Sequence, residues 1–544
     1  MFYVNMTVMR DLTTTNSAGW LHRTTRYGTS FIAYLSLVIV SLLCIAALCF
    51  TFVFPKTYAE TPLPSHVCAI VSSICSILLL LLWIHYQKWT IPEIKTHSVI
   101  RVVAAYSMIV GTLWSAIVNL PPVSDQLFVA WYGEQLAKHN YQPFLATYMQ
   151  QFPHQNGYVL FYAGFGSLFG FSNWTAVRLF NAAMVAIALG SLLKLTEMMF
   201  ASQRIVVICA VLCMAFLPFI FFSNFVYGNI PSVAFCLLAC LMQQYASQTK
   251  KTSRLALYGI ACALFLFIAI WFKPNGMIYL IGIEITWIAL TLTTKKLMHS
   301  IAALACAILY VAASTLPTAI VSSQTGISFD KAEPKIAWIA IGMQDSPLAP
   351  GWYNPYFTEQ YAQHNNDPEI VDQLAREVIR QRAEFFAQHP ATALRFYAHK
   401  EITQWAEPTF ESLWTVFGGQ DSKALDKDSI LQSSFHQGVL RAAYTLWCDI
   451  IQSLIYIGAA FALWMHRKHW KPEQLALILI VLGGFAFHTI WEAKSDYVLP
   501  YFILLLPYAA AGLLDLRTHG LPCLQLKHLT QSQRNKTMQH TNLD

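Results

Sequence analysis

The chain has 544 residues, of which 56% are hydrophobic, 14% aromatic and only 12% charged. Soluble domains carry about twice that share of charge, which excludes soluble, disordered, fibrous and nucleic-acid-binding classes. The net charge of +7 then reads as the Lys/Arg bias of cytoplasmic loops, and the expected fold class is an all-α polytopic membrane protein with a smaller water-exposed part.

The first 30 residues carry Arg10, Arg23 and Arg26 and are expected to stay cytoplasmic. The apolar run 31–54 is too long for the core of a cleavable signal and long enough to span a bilayer. With a second run at 67–86 it makes residues 1–98 a cytoplasmic N-terminus plus two accessory spans. A transmembrane core, 99–322, follows with runs at 99–120, 177–198, 205–223, 229–247, 255–272, 275–294 and 298–322. Runs at 442–465, 474–490 and 497–515 make up the C-terminal spans, 442–516, before a cytoplasmic tail, 517–544. Eleven of the 12 cysteines lie in or beside these runs and read as small apolar packing residues; only Cys523 falls in the polar tail.

One further run, 157–171, is apolar but short and carries four glycines. The charges decide its status. Lys88 and Lys95, Lys250 with Lys251 and Arg254, Lys295 with Lys296, Arg467 with Lys468 and Lys471, and Arg517 with Lys527, Arg534 and Lys536 all fall on one side only if 157–171 does not cross. The expectation is twelve crossings, thirteen if that run spans, with both termini inside.

Two long segments then face outward. The first loop runs 121–176. The second, 323–441, holds 15 of the chain's 28 acidic residues. Within it Asp367-Pro368 predicts a helix start, Ile370, Leu374, Val378 and Phe385 share a face, and His389-Pro390 ends the run. The stretch 391–405 is amphipathic and is expected on the membrane surface. The segment is an extracytoplasmic helical cap rather than an independent domain.

Polar side chains gather at the outer ends of the spans. Asp125, in Pro121-Pro-Val-Ser-Asp125-Gln126, suits a general base or a ligand to a divalent cation, and equally a helix cap. The loop continues to Phe152-Pro-His154-Gln155, where His154 has a tunable proton. Tyr227 lies between the fifth and sixth runs. Lys273, between the seventh and eighth, suits a lipid phosphate or simple interfacial anchoring. Trp491-Glu492-Ala-Lys494-Ser-Asp496-Tyr497 crowds acids, a base and aromatics into one outer turn. Glu284 and Asp449 fall inside spans, where a carboxylate is costly and invites a functional explanation.

In order, these motifs resemble a known family. Pro-Val-Ser-Asp125-Gln126, Phe-Pro-His154-Gln155, Leu-Phe-Gly170, Arg178-Leu-Phe-Asn181 and Trp-Glu492-Ala-Lys494-Ser-Asp-Tyr497-Val-Leu-Pro500 look like the polyprenyl-phosphate-sugar-dependent glycosyltransferases of the GT-C fold. Bacterial aminoarabinose transferases and protein O-mannosyltransferases are relatives. Lys400…Trp405-Ala-Glu407-Pro408 with Glu411-Ser-Leu-Trp414 has the look of bacterial members.

The resemblance spans 99–515 and implies a GT-C bundle of about 12–13 transmembrane helices in the plasma membrane, with an extracytoplasmic active site. Asp125 would act on the acceptor hydroxyl, the sugar would transfer with inversion, and polyprenyl phosphate would leave. Lys494, Lys273 and Arg178 are the phosphate candidates, and Gln126, His154, Gln155, Tyr227, Glu492 and Tyr497 the other substrate-binding residues. The implied partners are a polyprenyl-phosphate-sugar donor and an extracytoplasmic glycan, lipid or protein acceptor. Gln126 stands where protein O-mannosyltransferases have a second acid, and Asp496 where relatives often have Arg. Two other readings stay open. One is a flippase or transporter. The other is a glycan ligase or polymerase drawing on His389, Arg395, His399 and Lys400.

Overall fold

In the computed structural model the described residues are mainly helical, with one two-residue strand pair among them. The structure describes residues 5–55, 60–86, 90–420, 425 and 429–519, with backbone alone for 5–26 and 147. Lys88, Cys523, Lys527, Arg534 and Lys536, and the side chains of Arg10, Arg23 and Arg26, lie outside what is described.

Among the described residues eleven helices are long and apolar enough to cross a membrane, or twelve with one bent pair taken as a single span. They match the twelve expected runs one for one. The bent span is Gln203–Ala215 plus Leu217–Asn224, turned by 58°. Pro218 at the start of the second piece explains the break, because it has no N–H to continue the ladder. The last span, Ser495–His519, is the most enclosed, with 83% of its apolar window buried, against 17% for His66–His85. The twelfth span is therefore the axis of the bundle and the second its rim.

The run 157–171 forms the helix Asn156–Phe169 of 14 residues. At 1.5 Å per residue that is about 21 Å, short of the ~30 Å hydrocarbon core. It lies instead against the outer helix Asp125–Ala137, where Gly133 allows contact: a Cβ there would stand 2.9 Å from the Val159 carbonyl oxygen.

The accessory spans are tied to the bundle by one of the two intramembrane acids. Thr51 Oγ1 donates to Asp449 Oδ2 at 2.5 Å, and Cys68 Sγ lies 3.9 Å from the same oxygen. Asp449 is thus an anchor for the first two spans. Glu284 lies roughly 12 Å along its helix from Gly276, well inside the span Pro274–Thr294.

The outer segment starts as expected: Asp367 accepts from the Glu369 N–H at 2.9 Å and caps Pro368–Gln388. Its buried face is centred on Val371 and Ala375, with Leu374 and Val378 at the flanks, whereas Phe385 is exposed. The expected stripe is rotated by about one residue because the small Ala337 and Ala340 of the neighbouring helix admit Val371 and Ala375 most closely.

The expectation for 391–405 needs correction. The helix Pro390–Trp405 buries Lys400, Thr403, Gln404 and Trp405 in protein rather than laying them on a membrane surface. Lys400 Nζ donates to the carbonyls of Gly342 at 2.7 Å, Thr489 at 2.9 Å and Trp491 at 2.7 Å. Two of these close the C-terminal end of the span Pro472–Ile490, the negative pole of a helix, where a cation is favoured. Burial pulls the Lys400 ammonium down to about 8, with Glu401 and Glu492 resisting. Lys400→Met leaves three carbonyls without their donor. It is expected to cost about 3 kcal/mol or more, read as a lower unfolding temperature of the detergent-solubilised protein, with Lys400→Arg intermediate.

Candidate active site

The candidate site draws on three pieces of chain: the first loop, the turn after the seventh span, and the turn before the last span. Each is placed by a specific packing feature. Ser124 adopts φ 53° and ψ −137°, a conformation a non-glycine residue holds only at a cost of ~1–3 kcal/mol. It throws the chain from the third span into the helix Asp125–Ala137, so Asp125 is that helix's first residue and Ser124 occupies the cap position. Asp125 is exposed. It faces the Tyr148 hydroxyl and lies within electrostatic reach of Tyr227, Lys273, Tyr353 and Tyr497.

Lys273 is set by close backbone packing. A Cβ on Gly228 would stand 2.0 Å from the Phe272 carbonyl oxygen, and Trp271 Nε1 donates to the Gly157 carbonyl at 3.0 Å. The ammonium sits 4.2 Å above the centre of the Tyr227 ring, and Gln155 Nε2 donates to the Tyr227 hydroxyl. Burial pulls the Lys273 ammonium down to about 8, against the carboxylates of Asp496, Asp125 and Glu492. Lys273, Asp496 and Tyr497 line a small open cleft whose wall also includes Val233, Cys236 and Pro500. A cation at the mouth of a partly apolar cleft suits an amphiphile with an anionic head.

The turn before the last span is held by acids of the cap. Glu407 is fully buried and accepts from Thr409 N–H at 2.9 Å, Glu411 N–H at 2.9 Å and Ser495 Oγ at 3.0 Å. Glu411 accepts from the Ser495 N–H at 3.1 Å and lies 3.3 Å from Lys494 Nζ. Phe410 and Glu411 both sit at positive φ, 48° and 60°, which turns Glu411 back toward Ser495. Lys494 pairs with Glu60 as well, and its ammonium lies 4.3 Å from the centre of the Trp414 ring. Burial works against the Lys494 charge, but Glu411, Glu60 and Asp496 outweigh it and hold its pKa well above the ordinary range. Glu492 is buried, accepts from the Tyr497 hydroxyl at 3.2 Å, and is pushed up to about 7 by burial, with Lys494 resisting.

The residues named from sequence therefore divide. Lys273 and Tyr497 line one cleft; Asp125 and Glu492 lie within electrostatic reach of Lys273, and Tyr227, held by Gln155, lies under its ammonium. His154 is exposed, 6.1 Å from Trp338 ring to ring. The others are engaged elsewhere. Gln126 is buried, donating to the Thr415 carbonyl and accepting from the Val226 N–H, both at 2.9 Å, so both ends of its amide join backbone segments. Arg178 is buried and donates to the Leu120 carbonyl at the end of the third span. Lys494 faces Glu60 and Glu411 rather than open cleft.

Tyr148, Tyr353, Glu60 and the Glu407–Glu411 pair were missed as site residues. The Trp405-Ala-Glu407-Pro408 motif was the one signal for the last. Among the described residues no group of three or more His, Cys, Asp or Glu is arranged to hold a metal ion. The carboxylates that do converge, Glu60 and Glu411, converge on an ammonium.

No family model matches the chain, and no curated protein matches it. Among solved structures it is similar to an archaeal oligosaccharyltransferase, AglB from Archaeoglobus fulgidus, in complex with an inhibitory peptide and a dolichol-phosphate. The identity is 14% and the TM-score 0.40, covering 80% of this chain and 52% of that one. The chain thus spans about half the length of the archaeal protein. It is also similar to ArnT from Cupriavidus metallidurans bound to undecaprenyl phosphate, at 13% identity and a TM-score of 0.33, over 76% of this chain and 77% of that one.

Proposed function

We propose that the chain is a multi-pass membrane glycosyltransferase of the GT-C type. It moves a sugar from a polyprenyl-phosphate donor to an acceptor on the extracytoplasmic side of the plasma membrane. The observation that carries this reading is an exposed carboxylate, Asp125, within electrostatic reach of a half-buried cation, Lys273, that lines a partly apolar cleft. The order of motifs around Asp125 and Glu492–Pro500 supports the same reading.

In the proposed step Asp125 takes the proton of the acceptor hydroxyl as its oxygen attacks the anomeric carbon. The bond from that carbon to the phosphate oxygen breaks, and its electron pair stays on the departing polyprenyl phosphate. The configuration inverts. Lys273 stabilises the charge growing on the phosphate, which a preorganised cation in a water-poor site does effectively. Tyr227 and Gln155 hold the ammonium's position from beneath. No step is routed through a metal ion. Of the four residues that a ligase reading draws on, Lys400 is engaged by three carbonyls.

The test is mass spectrometry of polyprenyl-linked lipids and surface glycans in wild-type, deletion and Asp125→Asn strains. The expected result is one polyprenyl-phosphate monosaccharide accumulating in both mutants while one glycan loses that sugar. Complete lipid-linked oligosaccharides accumulating in the deletion strain alone would instead identify a flippase.

Lys273 also predicts a pH dependence. Its ammonium holds a proton below about 8 and loses it above. Turnover with donor limiting should therefore fall as pH rises through that value. Lys273→Arg, which stays charged, should carry activity to higher pH, and Lys273→Met should be weak throughout. A wild-type profile flat from pH 7 to 9.5 would contradict the role.

A further inference from the structure

An aromatic wall leads away from Asp125 and is used by none of the chemistry above. It begins with Phe128, one turn along the same helix, stacked on Tyr148 at 5.1 Å, which meets Phe152 at 5.3 Å. Phe152 and His154 lie 6.2 and 6.1 Å from Trp338, and Trp338 lies 5.9 Å from Trp491 with their planes 3° apart. The wall thus joins the proposed base at one end to the Glu492 turn at the other. Its members are neither buried core nor free side chains: Phe152, Trp338 and Trp491 are half-buried, and Phe128 and His154 exposed.

Tyr353 completes the arrangement. Its loop is among the most firmly held parts of the cap. Gly351, at φ +72°, accepts from the Ala493 N–H at 2.7 Å, Trp352 Nε1 donates to Thr403 Oγ1 at 3.1 Å, and Ser346 Oγ donates to the Tyr353 carbonyl at 2.8 Å. Yet the Tyr353 side chain is left exposed, within electrostatic reach of Asp125, Glu333 and Glu492. A firmly held loop that presents a half-exposed phenol, its hydroxyl engaged by Thr358, within reach of the proposed base serves recognition better than packing.

Building on the glycosyltransferase reading, we propose that this wall and Tyr353 form the acceptor subsite, and that the acceptor it takes is a pyranose unit of a glycan. A pyranose presents C–H bonds on one face and hydroxyls around its rim. The face suits flat, half-exposed rings such as Trp338, and the rim suits Tyr353 and His154. A peptide would call for backbone partners of the strand-edge kind, whereas the strand-like bridge next to Tyr353, Trp352 with Ala493, is already made within the protein. Membrane-belt aromatics sit at span ends. Here Phe152, His154 and Trp338 stand on elements that do not span, beside the exposed Lys335.

Saturation-transfer NMR on the full-length protein in lipid nanodiscs tests this. The probes are methyl glycosides of glucose, galactose, mannose and N-acetylglucosamine, and farnesyl phosphate as a donor-lipid probe. At least one glycoside should receive saturation, strongest on the C–H protons of one face. The effect should fall about tenfold in Trp338→Ala and in Tyr353→Ala, and be kept in Trp338→Phe. Farnesyl phosphate should bind all three variants as it binds wild type.

No saturation on any glycoside, or equal saturation in Trp338→Ala, would overturn the subsite. So would loss of farnesyl phosphate in Trp338→Ala, which would make the wall part of the lipid path, or a Ser/Thr peptide binding through Trp338 where no glycoside does. Glycoside binding with no farnesyl phosphate binding to wild type would leave the subsite standing and count against the donor reading instead.

Discussion

Asp125→Asn is expected to abolish turnover while leaving the protein folded and inserted. The carboxylate is exposed at the first position of its helix, and an isosteric amide keeps an oxygen that can accept from the Tyr148 hydroxyl, so stability should change little. Asn cannot accept the acceptor's proton. A positioned general base contributes about 10²–10⁴-fold, and a loss within or beyond that range is expected in single-turnover assays with saturating donor. Donor affinity should change by much less, since the phosphate is assigned to Lys273. Asp125→Glu should recover part of the rate, because it restores the proton acceptor one methylene out of place. An Asp125→Asn protein with near-normal turnover would remove the base from the mechanism. A poorly folded one, by thermal unfolding, would show that the residue is a structural start to its helix.

The second large effect is expected on stability. Lys494 is the counter-charge for Glu60 and Glu411, with Asp496 nearby. Lys494→Met would leave these acids facing one another in a buried site, and removing one partner of a buried ion pair costs about 3–5 kcal/mol. The measurement is thermal or denaturant unfolding in detergent. Lys494→Met combined with Glu411→Gln should recover part of the loss, because a neutral side chain no longer needs the cation. Burial holds the Glu411 pKa up and Lys494 opposes that, so Lys494→Met should also make Glu411 bind a proton at higher pH and the variant relatively less unstable in acid. If Lys494→Met were as stable as wild type but failed to bind farnesyl phosphate, Lys494 would be the phosphate residue after all, with Glu60 standing where the phosphate goes.

The contrast between Lys273 and Lys494 shows where sequence reading stops. Both are cations in short outer turns, and from sequence both suited a phosphate. Their difference comes from partners distant in the chain. Lys494 meets Glu60, from the loop between the accessory spans, and Glu411, from the cap, whereas Lys273 meets the face of Tyr227. Gln126 and Arg178 tell the same story, since the carbonyls and N–H that engage them come from Thr415, Val226 and Leu120. The stretch 391–405 reads as amphipathic because nothing in the sequence marks which of its polar positions are buried. Lys400 shows that a buried lysine with three carbonyls at a helix end is equally consistent with that pattern.

What the sequence determined by itself was the membrane architecture. Each span must satisfy its backbone internally and bury some 20 apolar residues; both are local demands, and the twelve runs and the short 157–171 stretch could be read from them, as could the cap at Asp367. Asp125 was legible too, because a loop acid just past a span stands out against an apolar background. Tertiary structure alone decided which outer-face polar groups stay available. That depends on hydrogen bonds and ion pairs between segments up to several hundred residues apart, such as Lys494 with Glu60 or Gln126 with Thr415. Such pairings leave no periodicity or spacing in the chain, because the energy of a buried charge or amide is set by whatever the fold brings beside it.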